Sequence, residues 1–78
     1  LNALCWALVQ AGRAADAMDT CDAAVAADPE SGAIVHSRAA ALEQVGRTEE
    51  AAELYARAHA LDPEDPEIAA DHERVNGG

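Results

Sequence analysis

Leu1, Leu4, Cys5 and Leu8 keep the i, i+3, i+4, i+7 spacing of one buried helical stripe. Gly12 then ends the run, because glycine takes the left-handed conformation beyond a helix end without steric cost. A second helical pattern follows, with Ala17, Cys21, Ala24 and Val25 on its inner face. It stops at Asp28-Pro29, since a residue preceding proline is pushed out of the α region. The scheme then repeats. Ser31 is placed to cap a third helix that carries Ile34, Val35, Leu42 and Val45 inward and ends at Gly46. Thr48 is expected to cap the fourth, with Glu49 and Glu50 at the positive end of its dipole. Ala51, Leu54, Tyr55, Ala58 and Leu61 form its inner stripe up to Asp62-Pro63. Asp65-Pro66-Glu67 reads as a fresh start: a capping acid, a proline in the first turn and a second acid. That fifth helix carries Ile68, Ala69, His72 and Val75 before Asn76-Gly77-Gly78.

Displacing the chain by 34 residues lays 1–31 on 35–65 with 11 identities, among them Leu8/Leu42, Gln10/Gln44, Arg13/Arg47 and Asp28/Asp62. Such self-similarity is an internal repeat. Each unit has a glycine closing its first helix, alanines 5 and 12 positions later, and a proline 5 beyond: Gly12, Ala17, Ala24, Pro29 and Gly46, Ala51, Ala58, Pro63. This pattern resembles the tetratricopeptide repeat family. The resemblance implies an all-α fold, a right-handed helix-turn-helix solenoid of five helices in one domain. Residues 1–31 would be a first repeat lacking its first few residues, 32–65 a second, and 66–76 a capping helix. The sequence departs from the family in two ways. Leu1 and Val35 stand where larger residues are usual, and Arg38 stands where a leucine normally faces inward. Arg38 either pairs with Asp22 or Asp28, or buries its stem and keeps its charge in water. The stretches Leu4-Cys5-Trp6, Asp19-Thr20-Cys21-Asp22-Ala23-Ala24 and Ser37-Arg38 also resemble a bacterial subgroup of such repeats.

Composition fits this scheme. Of 78 residues 21 are alanine, while aromatic residues are limited to Trp6 and Tyr55, so packing must rely on close helix contact. Five arginines and no lysine face 15 acids, a net charge of −10 that argues against binding a phosphate backbone. No apolar run approaches the ~20 residues needed to cross a bilayer.

Cys5 and Cys21 face one another across the first hairpin, within about a turn of alignment. Two outcomes stay open, a disulfide or two small buried thiols. The compartment stays open between a bacterial cytoplasm and periplasm, and a bridge would favour the periplasm. The cysteines and His36, His59 and His72 lack the spacing of a zinc site, and Asp16, Asp19 and Asp22 form a solvated acidic face rather than a calcium loop. No nucleophile, base and orienting acid assemble, and no phosphate-binding loop exists. Neither an enzymatic role nor a cofactor is expected.

The remaining candidate is a surface. In helix-pair solenoids the first helices of successive units line a concave groove that takes a peptide or a partner helix. Here that face is expected to present Asn2, Trp6, Val9 and Gln10, then His36, Ser37, Ala40, Glu43 and Gln44. The fifth helix would add Glu67, Ala70, Asp71 and Arg74. Trp6 is the natural interface anchor, or else packs across a neighbouring helix as core. Some members of the resembled family grip a terminal carboxylate with lysines and asparagines; Asn2 alone is of that type here. Glu43, Glu67 and Asp71 favour a neutral or basic protein partner instead. A second reading makes the chain a structural segment of a longer array, a spacer or an element that self-associates through an exposed first helix.

Overall fold

The computed structural model describes the backbone of residues 2–77 and the side chains of 3–76. The expectations placed on Leu1 and on the Asn2 side chain lie outside the described residues. Five helices follow in order: α1 Asn2–Gln10, α2 Ala14–Ala27, α3 Gly32–Gln44, α4 Thr48–Leu61 and α5 Pro66–Gly77. Gly12 and Gly46 have φ of +77° and +88°, the conformation the sequence required of them. Around each glycine the backbone closes the same way. The Gly12 and Arg13 N–H groups donate to the Val9 and Leu8 carbonyls, and those of Gly46 and Arg47 donate to Glu43 and Leu42. This pair of bonds satisfies carbonyls that a helix end leaves orphaned. Asp28 and Asp62, each ahead of a proline, leave the α region at φ −148° and −141° and end α2 and α4. Ser31 Oγ accepts from the Ile34 N–H at 3.4 Å, and Asp65 Oδ1 accepts from Glu67 and Ile68 at 2.9 and 3.1 Å. Thr48, by contrast, is no cap. It is the first helical residue, and the preceding Arg47 turns its guanidinium to Glu50 at 2.7 and 2.9 Å.

Consecutive helices pack as antiparallel neighbours, and the odd-numbered helices also touch, α1 with α3 and α3 with α5. Among the described residues α2 and α4 do not meet. The array therefore curves: α1, α3 and α5 crowd the inner side while α2 and α4 splay on the outer. Its core is a row of three small clusters rather than one centre, as expected when each unit meets only its neighbours. Cys5, Val9, Ala14, Ala17, Cys21 and Ala41 form the first. Ala39, Leu42, Ala51 and Tyr55 form the second, and Val35, Ala58 and Ile68 the third. Met18 touches the first two clusters and Leu54 the last two, so the row is continuous.

Three residues expected inward are not. Leu4 is 54% exposed, Val45 38% and Leu61 36%. Leu4 occupies the position of Arg38, which in the second repeat reaches α2 through Asp22; no described helix stands on that side of α1. Val45 and Leu61 lie at helix ends, where the chain is already turning away from the core. Arg38 satisfies both expectations together, pairing with Asp22 while its side chain stays largely covered. Gly32 permits a close approach within the second repeat, where α3 begins beside the end of α4: a Cβ there would lie 2.8 Å from the Asp62 Cβ and 3.1 Å from the Ala58 carbonyl oxygen.

Candidate functional site on the concave face

The concave face divides into a closed half and an open half. In the closed half, α3, α4 and α5 are joined by a circuit of side chains. His36 Nε2 lies 2.7 Å from Asp71 Oδ2, and the other Asp71 oxygen accepts from Arg74 Nη2 at 3.2 Å. Arg74 also forks onto Glu43, with 2.8 Å from Nη2 to Oε1. Glu43 Oε1 then accepts from the Tyr55 hydroxyl at 3.0 Å, and the Tyr55 ring returns to His36 with centroids 5.6 Å apart. Arg74 holds the Glu43 carboxyl below the usual glutamate range, outweighing partial burial, and the Tyr55 bond adds to the effect. Burial pushes the Tyr55 phenol well above its ordinary range, helped by the Glu43 carboxylate beside it. The circuit thus keeps Tyr55 a neutral donor and Glu43 a charged acceptor.

The open half lies between α1, α3 and the start of α5. Trp6 stands half-buried there, its ring 5.4 Å from that of His36 and tilted by 35°. A cavity of about 180 Å³ opens beside them. Trp6, Ala33, His36, Ser37 and Ile68 form its walls, and Asp65 and Glu67 stand with them where α5 begins. The Ser37 hydroxyl donates back to the Ala33 carbonyl at 3.1 Å, so it is a wall rather than a free donor.

The residues assigned to the groove from sequence meet different fates. Trp6, His36 and Ser37 do gather round the cavity, although His36 and Ser37 are only 6% and 3% exposed. Glu43 and Arg74 are committed to one another in the closed half. Val9 is a correction: it is buried in the first cluster, because α1 must present a face to α3 as well as to α2. Ala40 is half-buried against the first two clusters, and Gln44 ties the repeats together by donating to the Val9 carbonyl at 2.7 Å. Gln10 is exposed. Asp71 and Glu43, expected to repel carboxylates, have their charge met by Arg74, which leaves that role to Glu67 and Asp65. Ala33, Asp65 and Ile68 were missed as cavity residues and Tyr55 as a groove support. Asp65 carried one signal, its acid at a capping position, but which helix it would face depends on how α5 docks.

Cys5 and Cys21 Sγ atoms are joined at 1.99 Å with Cα atoms 5.0 Å apart, a disulfide beneath the face rather than on it. No cluster of metal-ligating side chains occurs among the described residues.

Stacked helix pairs with a concave inner face define the chain as a helical repeat protein. The tetratricopeptide repeat family profile matches residues 33–72, more than half of the chain. The protein belongs to the tetratricopeptide repeat family. No curated protein and no solved structure matches it. Repeats of this family serve in general as protein–protein interaction modules without enzymatic activity of their own.

Proposed function

We propose that the chain is a protein-interaction module that takes a neutral to basic peptide, or one face of a partner helix, along α1, α3 and the start of α5. The observation that carries this reading is the open cavity at Trp6, the one aromatic residue of the chain that is not fully buried in its core. Tryptophan in such a position supplies large contact area at small entropic cost. The surrounding charge is uncompensated and acidic, which disfavours anionic partners. The disulfide supports an oxidising compartment.

Peptides selected by display against the oxidised protein test the reading, with binders mapped through amide chemical shifts. Perturbations are expected on α1, α3 and the first turns of α5, and loss of binding in Trp6→Ala. Perturbations confined to the outer faces of α2 and α4 would sink it.

A second reading, self-association, draws on Leu4 alone, exposed where the second repeat places a residue against a neighbouring helix. Concentration-dependent dimers in sedimentation, abolished by Leu4→Glu, are the expected result; a monomer at every concentration removes it.

A further inference from the structure

We propose that the Trp6–His36 cavity receives a single cationic side chain, and that its best occupant is an arginine of the partner. The proposal rests on the concave-face reading above and sharpens it to one chemical group.

Charge bookkeeping within the fold is the first argument. All five arginines are already engaged: Arg13 with Asp16, Arg38 with Asp22, Arg47 with Glu50, Arg74 with Glu43 and Asp71, and Arg57 with the Pro29 carbonyl. The chain has no lysine. No arginine of the protein itself therefore reaches the cavity, although two carboxylates stand at it. Asp65 spends one oxygen on the Glu67 and Ile68 N–H groups, which keeps its charge at the α5 start, and Glu67 has no side-chain partner among the described residues.

The walls are the second argument. An indole beside two carboxylates combines the electron-rich ring face and the anionic acceptors that a cation needs. An anion finds neither, since the α5 N–H groups that would attract it are taken by Asp65. Volume gives the third. About 180 Å³ holds one side chain, whereas small-molecule sites occupy roughly 300–1,000 Å³. Between the two basic side chains the site favours arginine. Its planar guanidinium stacks on aromatic rings, forks onto carboxylates and sheds water more readily than an ammonium.

The test uses the peptide acetyl-Gly-Ala-Arg-Ala-Gly-amide and its twins carrying lysine or citrulline, the last matching arginine in shape without its charge. Fluorescence of the single tryptophan and amide shifts of Glu67 and Ile68 report occupancy. The arginine peptide is expected to saturate, lysine to bind several-fold weaker and citrulline at least tenfold weaker. Glu67→Gln should weaken arginine several-fold, while Glu53→Gln on the exposed face of α4 should leave it unchanged. Equal binding of arginine and citrulline overturns the proposal. Equal weakening by Glu67→Gln and Glu53→Gln also overturns it, since that pattern is general attraction to an acidic protein. In either case display-selected binders that still map to α1, α3 and α5 keep the interaction surface intact, so the two failures are told apart.

Discussion

The two repeats solve one packing problem in different ways. Position 5 of the first repeat corresponds to 39 of the second, and 21 to 55. In both, the pair lies fully buried at the heart of its own helix hairpin. The first repeat fills the place with Cys5 and Cys21 and closes it covalently. The second pairs the small Ala39 with Tyr55, the largest fully buried side chain in the molecule. The difference reaches beyond the hairpin. A disulfide ends at its partner, whereas Tyr55 carries a hydroxyl through the core to Glu43, and Glu43 holds Arg74 of α5. The first repeat has Val9 where the second has Glu43, so it has nothing for a hydroxyl to reach. At this position one repeat is tied to itself and the other is tied to its neighbour.

The largest effect is expected from Tyr55→Ala. It empties the second cluster and cuts the circuit, a loss of about 3–5 kcal/mol by analogy with other aromatic truncations, measured by urea unfolding. Tyr55→Phe keeps the ring and should cost about 1–3 kcal/mol, the value of a hydrogen bond to a charged acceptor. Phe matching wild type would break the claim that the hydroxyl ties α5.

Removing the disulfide comes next. Its partners are 16 residues apart, and a closed loop near that length is worth about 3 kcal/mol in the chain-entropy view. The comparison is sharpened by transplanting the second repeat's solution. Cys5→Ala with Cys21→Phe should unfold later than Cys5→Ala with Cys21→Tyr, because the tyrosine hydroxyl finds Val9 where it needs Glu43. The reverse order would show that the repeats differ in more than this one acceptor.

Gly32→Ala probes the second repeat's own hairpin, where α3 begins beside the end of α4. The added methyl meets Asp62 and the Ala58 carbonyl inside contact distance, so the α3 start must move. A loss of about 1–3 kcal/mol is expected from such overpacking. A thermal melt unchanged from wild type would show that end of the hairpin to be slack.

The smallest effect is a difference in acid response. Glu43 has its folded pKa lowered by Arg74, so its contribution is present above the ordinary glutamate range and is lost as pH falls through that range and below. Glu43→Gln should be less stable than wild type at neutral pH and converge on it in acid. Val9 packs among alanines and a disulfide that do not titrate, so Val9→Ala in the first repeat should keep a constant gap from wild type over the same pH range. Parallel pH curves for Glu43→Gln and wild type would remove Glu43 from the account.

Legibility from sequence followed the range of each interaction. The turns at Gly12 and Gly46, the stops at Asp28-Pro29 and Asp62-Pro63 and the caps at Ser31 and Asp65 are set within a few residues, and all could be read directly. Thr48 misled because a residue able to cap need not stand at the cap position, and here Arg47 does. Leu4 and Val9 exchanged places for a different reason. With apolar residues at every position from Ala3 to Val9 of α1, several stripes look equally apolar, and the choice among them depends on where α3 arrives. Trp6, His36 and Ser37 were found as a group, because helical spacing alone puts them on neighbouring first helices. Asp65 and Ile68 were not, since their share in the cavity exists only once α5 has docked.

Local backbone chemistry and a 34-residue period thus determined by themselves the five helices, their ends and the stacking of like on like, since glycine, proline and capping acids act over one turn. The tertiary structure decided which charges are spent and which remain open. Arg74 could have faced Glu43, Asp71, Glu67 or water on the evidence of spacing, and only the docking angle of α5 sends it to the first two. That choice closes one half of the concave face and leaves Glu67 and Asp65 beside Trp6 in the other, because a charge is free to meet a partner only where the fold has not already paired it.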